Sequence, residues 1–185
     1  MLQYFLNLPP FDFNQALGLV ATVAWIWSMS LKSDRRLNQS WVFVNAIWCV
    51  HWALLGGWVG AANVFVNAIR SALYLVRDWK TTKYKWHMML GLVVAYSLVS
   101  FPFMKDELDI LPVLASYTSS LAFFIFSGVR GRVVLTLGHI GWLFYAIAHL
   151  SYGGIISTLA VIGIGMTTIY RLLKDKEKAR LAAQA

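Results

Sequence analysis

Long apolar runs alternate with short polar ones along the whole chain. The apolar stretches cover residues 11–30, 41–76, 86–103, 110–127 and 133–170, with charged segments between them. A helix needs about 20 apolar residues to cross roughly 30 Å of hydrocarbon. The 41–76 stretch would form a rod of about 54 Å at a rise of about 1.5 Å per residue, too long for one crossing. Gly56, Gly57 and Gly60 near its middle predict a turn, because glycine takes the required backbone angles without a side-chain clash. That divides it into 41–55 and 59–76. Ser151-Tyr152-Gly153-Gly154 divides the 133–170 stretch in the same way. The pattern therefore predicts an all-α polytopic membrane protein with seven transmembrane helices.

Composition supports the membrane assignment. Hydrophobic residues make up 59% of the chain and charged residues 13%, against about 25% charged in soluble domains. The single cysteine, Cys49, excludes a disulfide framework and a multi-cysteine metal site. The formal net charge of +8 would suit nucleic acid if the cations formed one patch. Instead 14 of the 16 basic residues fall in loops 31–40, 77–85 and 128–132 and in the C-terminal segment, all on one side of the seven-span layout. Lys105 is alone on the other side, and Arg70 lies inside a span. The positive-inside rule then places the C-terminus in the cytoplasm and the N-terminus outside, in an inner membrane. Residues 1–10 carry no lysine or arginine, so they lack the basic region of a cleavable signal peptide. Residues 172–185 read as a polar cytoplasmic tail.

Spans one to three and five to seven follow one plan: helix, basic loop, helix, glycine turn, helix, basic end. A shift of 94 residues places Arg36 on Arg130, Trp48 on Trp142, Gly60 on Gly154, Asn63 on Ser157 and Arg77 on Arg171. The expected architecture is two parallel three-helix repeats, 11–77 and 110–171, joined by a linker helix at 86–103 (3+1+3).

The run His51-Trp52-Ala53-Leu54-Leu55-Gly56-Gly57-Trp58-Val59-Gly60-Ala61-Ala62-Asn63, continuing to Asn67 and Arg70, resembles the signature of the YgjV family of bacterial inner-membrane proteins. The basic loop Lys32-Ser33-Asp34-Arg35-Arg36 and the terminal Tyr170-Arg171 resemble it too. The family's plan is similar to that of the sugar-facilitator (SWEET), PQ-loop and nicotinamide-riboside (Pnu) transporters. In the sugar facilitators a tryptophan on the second helix of a triplet and an asparagine on the third contact substrate. The resemblance therefore implies such roles for Trp48 or Trp52 with Asn63 or Asn67, and for Trp142 with Ser157 or Thr158. It also implies a small-solute transporter.

The residues themselves point to the same region. Asn63, Asn67, Arg70, Tyr74 and Arg77 recur at helical spacing on one face of span three. An arginine at the centre of a span costs about 2.5–3.5 kcal/mol on insertion scales, so it needs a partner. All eight acids lie in loops or at helix ends. Arg70 must then snorkel, bond carbonyls and polar side chains, or meet an oxygen of a ligand. Without a carboxylate relay, facilitated diffusion or coupling through histidine is favoured over coupling through acids. Asn45, Trp48, Trp52 and Leu55 share a face of span two; the repeat register gives His139, Trp142, Ala146 and His149 on span six. Aromatic platforms beside hydrogen-bonding groups suit a flat or sugar-like solute, while interhelical packing is the plainer explanation. His51 falls on another face, where it is expected to clasp the glycine turn. Ser116-Tyr117-Thr118-Ser119-Ser120 in span five either lines a cavity or packs closely. Trp58, Trp79 and Trp86 read as interface anchors.

The expected function is a small-solute facilitator of the inner membrane. Its candidate binding residues are Trp48, Trp52, Asn63, Asn67, Arg70, His139, Trp142, Ser157 and Thr158. The expected partners are the lipid bilayer and a small polar or weakly anionic solute, with self-association left open and nucleic acid excluded. No cofactor, metal or catalytic group is expected. The alternative is a non-transporting membrane interaction protein or receptor whose polar stripe is structural.

Overall fold

The computed structural model describes residues 10–29, 34–76, 82–126 and 128–182. They form α1 (Phe13–Met29), α2 (Asp34–Leu54), α3 (Trp58–Val76), α4 (Lys85–Ser100), α5 (Ile110–Phe124), α6 (Gly128–Ala148) and α7 (Tyr152–Ala182). Two single 3-10 turns, Phe101–Phe103 and Glu107–Asp109, link α4 to α5.

The expectation of seven transmembrane helices needs correction. Among the described residues, four helices are long and apolar enough to cross a membrane: α3, α4 with its 3-10 extension to Phe103, α6 and α7. The helix α1 has 17 residues and α5 has 15, which gives about 26 and 22 Å at a rise of about 1.5 Å per residue. Although α2 has 21 residues, it opens with the polar run Asp34-Arg35-Arg36-Leu37-Asn38-Gln39-Ser40. Hydropathy marks where a chain avoids water, and it does not mark where its helices start and stop.

The 3+1+3 arrangement is also not what forms. Helix α1 packs on α2 and α7, α2 on α3, α3 on α5, α5 on α6 and α6 on α7. These six helices close a ring, and α4 sits outside it against α3 and α5. Self-contained triplets would instead pair α1 with α3 and α5 with α7, and neither is among the substantially packed pairs. The outer surface is apolar, with Phe43, Val50, Leu98, Phe144 and Leu159 exposed, as a lipid-facing wall requires.

Backbone contact at one point explains the ring closure. A Cβ on Gly153 of α7 would fall on the carbonyl group of Gly18 of α1, and a Cβ on Gly18 would come within 2.6 Å of the His51 ring of α2. Three helices thus meet where two of them lack side chains. Polar bonds fix the junction. The Thr22 hydroxyl lies 2.9 Å from the carbonyls of both Gly18 and Gly153. Gln15 donates to the Leu150 carbonyl at 2.9 Å and accepts from the Tyr152 amide at 3.0 Å. The α6–α7 turn comes at Leu150, whose φ of 49° is left-handed, ahead of the Gly153-Gly154 pair that the sequence suggested. The α2–α3 turn does use glycine, with Gly56 at φ 76°.

Tyr145 of α6 is fully buried, and its hydroxyl accepts from the Gly60 amide at 3.0 Å. That amide lies in the first turn of α3, where no helical carbonyl is available to it. Tyr145→Phe leaves it orphaned. The variant should lose about 1–3 kcal/mol, read as a lower melting temperature in detergent; an unchanged melt would show that water serves this amide instead.

Candidate functional site

The ring encloses a cavity of ≈120 Å³. All six ring helices line it, and α4 contributes nothing to the wall. Helix α2 supplies Trp41, Asn45, Trp48 and Trp52, spaced so that they form one stripe along a helix. Helix α3 supplies Val64, Asn67 and Arg70 at the matching spacing. Trp25 of α1 lines the same wall, as do Ser119 and Phe123 of α5, His139 and Trp142 of α6, and Ser157 and Thr158 of α7.

The aromatic groups form a connected wall. Trp48 stacks on Trp52 with ring centroids 6.1 Å apart, and Trp52 meets Trp142 at 6.0 Å. Trp25 stacks on His139 at 5.9 Å. The His139 Nδ1 lies 2.7 Å from the Leu135 carbonyl, which can only accept, so Nδ1 carries the proton and the neutral ring has Nε2 as its acceptor. Trp41 donates to Ser28 at 3.0 Å and meets Phe123 edge-on.

Arg70 is buried and does not snorkel to the surface. Its Nη1 donates to the Ser119 hydroxyl at 2.7 Å, and its guanidinium carbon lies 4.6 Å above the centre of the Phe123 ring. Ser119 donates its own proton to the Ser116 carbonyl at 3.0 Å. Asn67 is held from behind: the Tyr96 hydroxyl of α4 donates to its Oδ1 at 2.7 Å and sits within 3.4 Å of the Ser120 hydroxyl. With Oδ1 engaged, the Nδ2 end of Asn67 is the one left to serve the cavity. No carboxylate lines the cavity beside Arg70, so no acid there balances its charge.

The family follows from a match along nearly the whole chain. A family model described as "Bacterial inner membrane protein", Imp-YgjV, matches residues 12–176. The chain belongs to the YgjV family. It is 25% identical over 163 residues to inner membrane protein YgjV of Escherichia coli (strain K12), covering 86% of each chain. No solved structure matches. The protein is therefore a polytopic inner-membrane protein of the YgjV family.

Of the nine candidate residues, this YgjV-family fold brings eight to one cavity. The exception is Asn63, which turns toward α4 and donates to the Ser100 hydroxyl at 2.7 Å and to the Val59 carbonyl at 2.9 Å. Leu55, Ala146 and His149 are likewise absent from the cavity wall, and His149 packs on Tyr145 instead. Arg77 and Trp79 lie outside the described residues, as do residues 1–9, 30–33 and 77–81. Trp58 and Trp86 are exposed.

Sequence reasoning missed Trp25, Trp41 and Phe123. For Trp41 a signal existed, because it continues the Asn45, Trp48 and Trp52 stripe one turn further. Trp25 and Phe123 carry no such periodic mark; only the packing of α1 and α5 turns them inward. His51 was misjudged as well. It does not clasp the turn after it but spans from the Asn14 carbonyl (2.9 Å) to the Ser151 hydroxyl (2.7 Å).

Proposed function

We propose that this YgjV-family protein is a small-solute transporter, a facilitator whose central cavity is the solute site, and that it carries out no catalysis. The observation supporting this reading is the convergence of Asn67, Arg70, His139 and four tryptophans from α2 and α6 on one cavity. Packing alone gives no reason to turn a permanent charge and several amphipathic rings away from lipid toward one shared cavity. The solute is small and polar or weakly anionic, held on the tryptophan faces with its polar atoms toward Asn67 and Arg70. The C-terminal segment, with its basic residues Arg171, Lys174, Lys176, Lys178 and Arg180, faces the cytoplasm in this reading.

A second reading is supported by Asn63 and by the back of Asn67, both of which tie α3 to α4. In that reading the stripe is interhelical glue, and the protein is a membrane interaction partner or receptor. A thermal-shift screen in detergent separates the two, using sugars, sugar acids, nucleosides and vitamins against the parent, Asn67→Ala and Arg70→Ala. A ligand at 100 times its dissociation constant should stabilise the parent by about 2.7 kcal/mol. The transporter reading expects one solute class to shift the parent and neither folded variant. If nothing shifts and both variants melt much earlier, the stripe is structural and the transporter reading fails.

A further inference from the structure

We propose that the solute is a small monocarboxylate, its carboxylate on Arg70 and its apolar body between the tryptophan faces; this rests on reading the cavity as a solute site.

Charge is the first argument. Among the residues lining the cavity, Arg70 alone is permanently charged, and none is a carboxylate. Arg70 meets the Ser119 hydroxyl and the Phe123 ring, both neutral. One uncompensated positive charge in a low-dielectric enclosure is matched by one negative charge. A neutral solute leaves it unbalanced, and a dianion reverses the imbalance at a similar desolvation cost.

The donors fit a carboxylate as well. A guanidinium offers five N–H groups in a planar fork that accepts a carboxylate through two parallel bonds, and the Ser119 bond uses one of them. Ser119 cannot compete for the anion or donate to it, since its proton goes to Ser116. The amide end of Asn67, one turn from Arg70 on the same helix, supplies a further donor.

Size and shape complete the class. A cavity of ≈120 Å³ is close to the roughly 150 Å³ of an engineered cavity that takes benzene. The surrounding tryptophans favour a flat ring or a short branched chain over a heavily hydroxylated body. Benzoate is the simplest probe with all these properties.

The test measures affinity by thermal shift and calorimetry on the full chain in detergent. Benzoate is compared with benzamide, its neutral counterpart, and with phthalate, its dianionic one, on the parent, Arg70→Gln and Arg70→Lys. The parent should bind benzoate at least about tenfold more tightly than either analogue. Arg70→Gln should weaken benzoate about a hundredfold and benzamide far less, and Arg70→Lys should recover part of the loss. The parent comparison alone decides the matter if Arg70→Gln does not fold. Benzamide binding as tightly as benzoate, or benzoate binding surviving in Arg70→Gln, overturns the monocarboxylate while the cavity remains a solute site. Binding of neutral sugars or vitamins in place of benzoate has the same meaning. If no acid, amide, sugar or vitamin binds the parent, both this inference and the transporter reading fall.

Discussion

Gly153→Val should prevent the native ring from closing. The new Cβ would clash with the Gly18 carbonyl carbon and oxygen, with the Gly18 Cα 2.8 Å away. These are backbone atoms, so no rotamer change relieves the clash, and α1 and α7 must separate. Separation strips the Thr22 bond from the Gly153 carbonyl and the two Gln15 bonds from the α6–α7 turn. Overpacking alone typically costs about 1–3 kcal/mol, and the lost bonds to buried groups add about 1 kcal/mol each. The expected sum exceeds about 4 kcal/mol, a large part of the total stability of a typical domain. The measurement is the yield and melting temperature of monodisperse protein in detergent. Gly91→Ala is the control, because nothing lies within 4 Å of its Cβ position. A Gly153→Val protein that melts with the parent would refute the close α1–α7 contact.

His51→Ala is expected to have the second-largest effect. The ring is fully buried and joins three helices. Its Nδ1 donates to the Asn14 carbonyl of α1, while Nε2 accepts from Ser151, whose oxygen in turn accepts from the Gly154 amide at 2.9 Å. The ring also packs edge-on against Trp48 and Trp52, at 5.4 and 5.5 Å. Truncation leaves a cavity beside Gly18 and orphans polar groups on both neighbouring helices. Together these should cost about 3–5 kcal/mol. A second substitution makes the test specific. Gly18→Ala alone destabilises, because its methyl meets the His51 ring at 2.6 Å; in the His51→Ala background the same methyl fills part of the void. The two changes should therefore offset each other in a double-mutant cycle. Simple additivity of their melting-temperature losses would contradict the geometry.

Gly153→Val acts on the α1–α7 contact and on no residue that binds solute, so it separates folding from recognition. Trp52 and Gly154 line the cavity next to this junction. Damage at Gly153 is expected to lower solute affinity only through loss of the folded state, whereas His51 also supports Trp48 and Trp52 and changes at Arg70 act on affinity directly.

Much of this was legible in the sequence because helical periodicity is local. The spacing of Asn67 and Arg70, and of Asn45, Trp48 and Trp52, places each set on one face of its own helix wherever that helix docks. Asn63 shows the limit of the argument. It shares the Asn67 face by spacing, yet α4 lies against that end of α3 and claims its amide through Ser100. Trp25 and Phe123 show the converse, since residues without a periodic signal become wall residues once their helices pack. His51 was read from its distance to a nearby glycine turn, whereas its partners are 37 and 100 residues away.

The sequence by itself determined that this is a membrane protein, that it forms helices with turns near Gly56 and residue 150, and that a lone arginine sits among polar and aromatic groups without an acid in reach. Each of these depends on composition or on neighbours within a few turns. Only the tertiary structure decided how many helices are long enough to span, that α1 closes on α7 and not into a triplet with α3, and which faces share the cavity. The physical reason is that packing of apolar helices is set by where backbones can approach and polar groups can pair. At Gly18 and Gly153 those conditions are met between segments 135 residues apart in the chain.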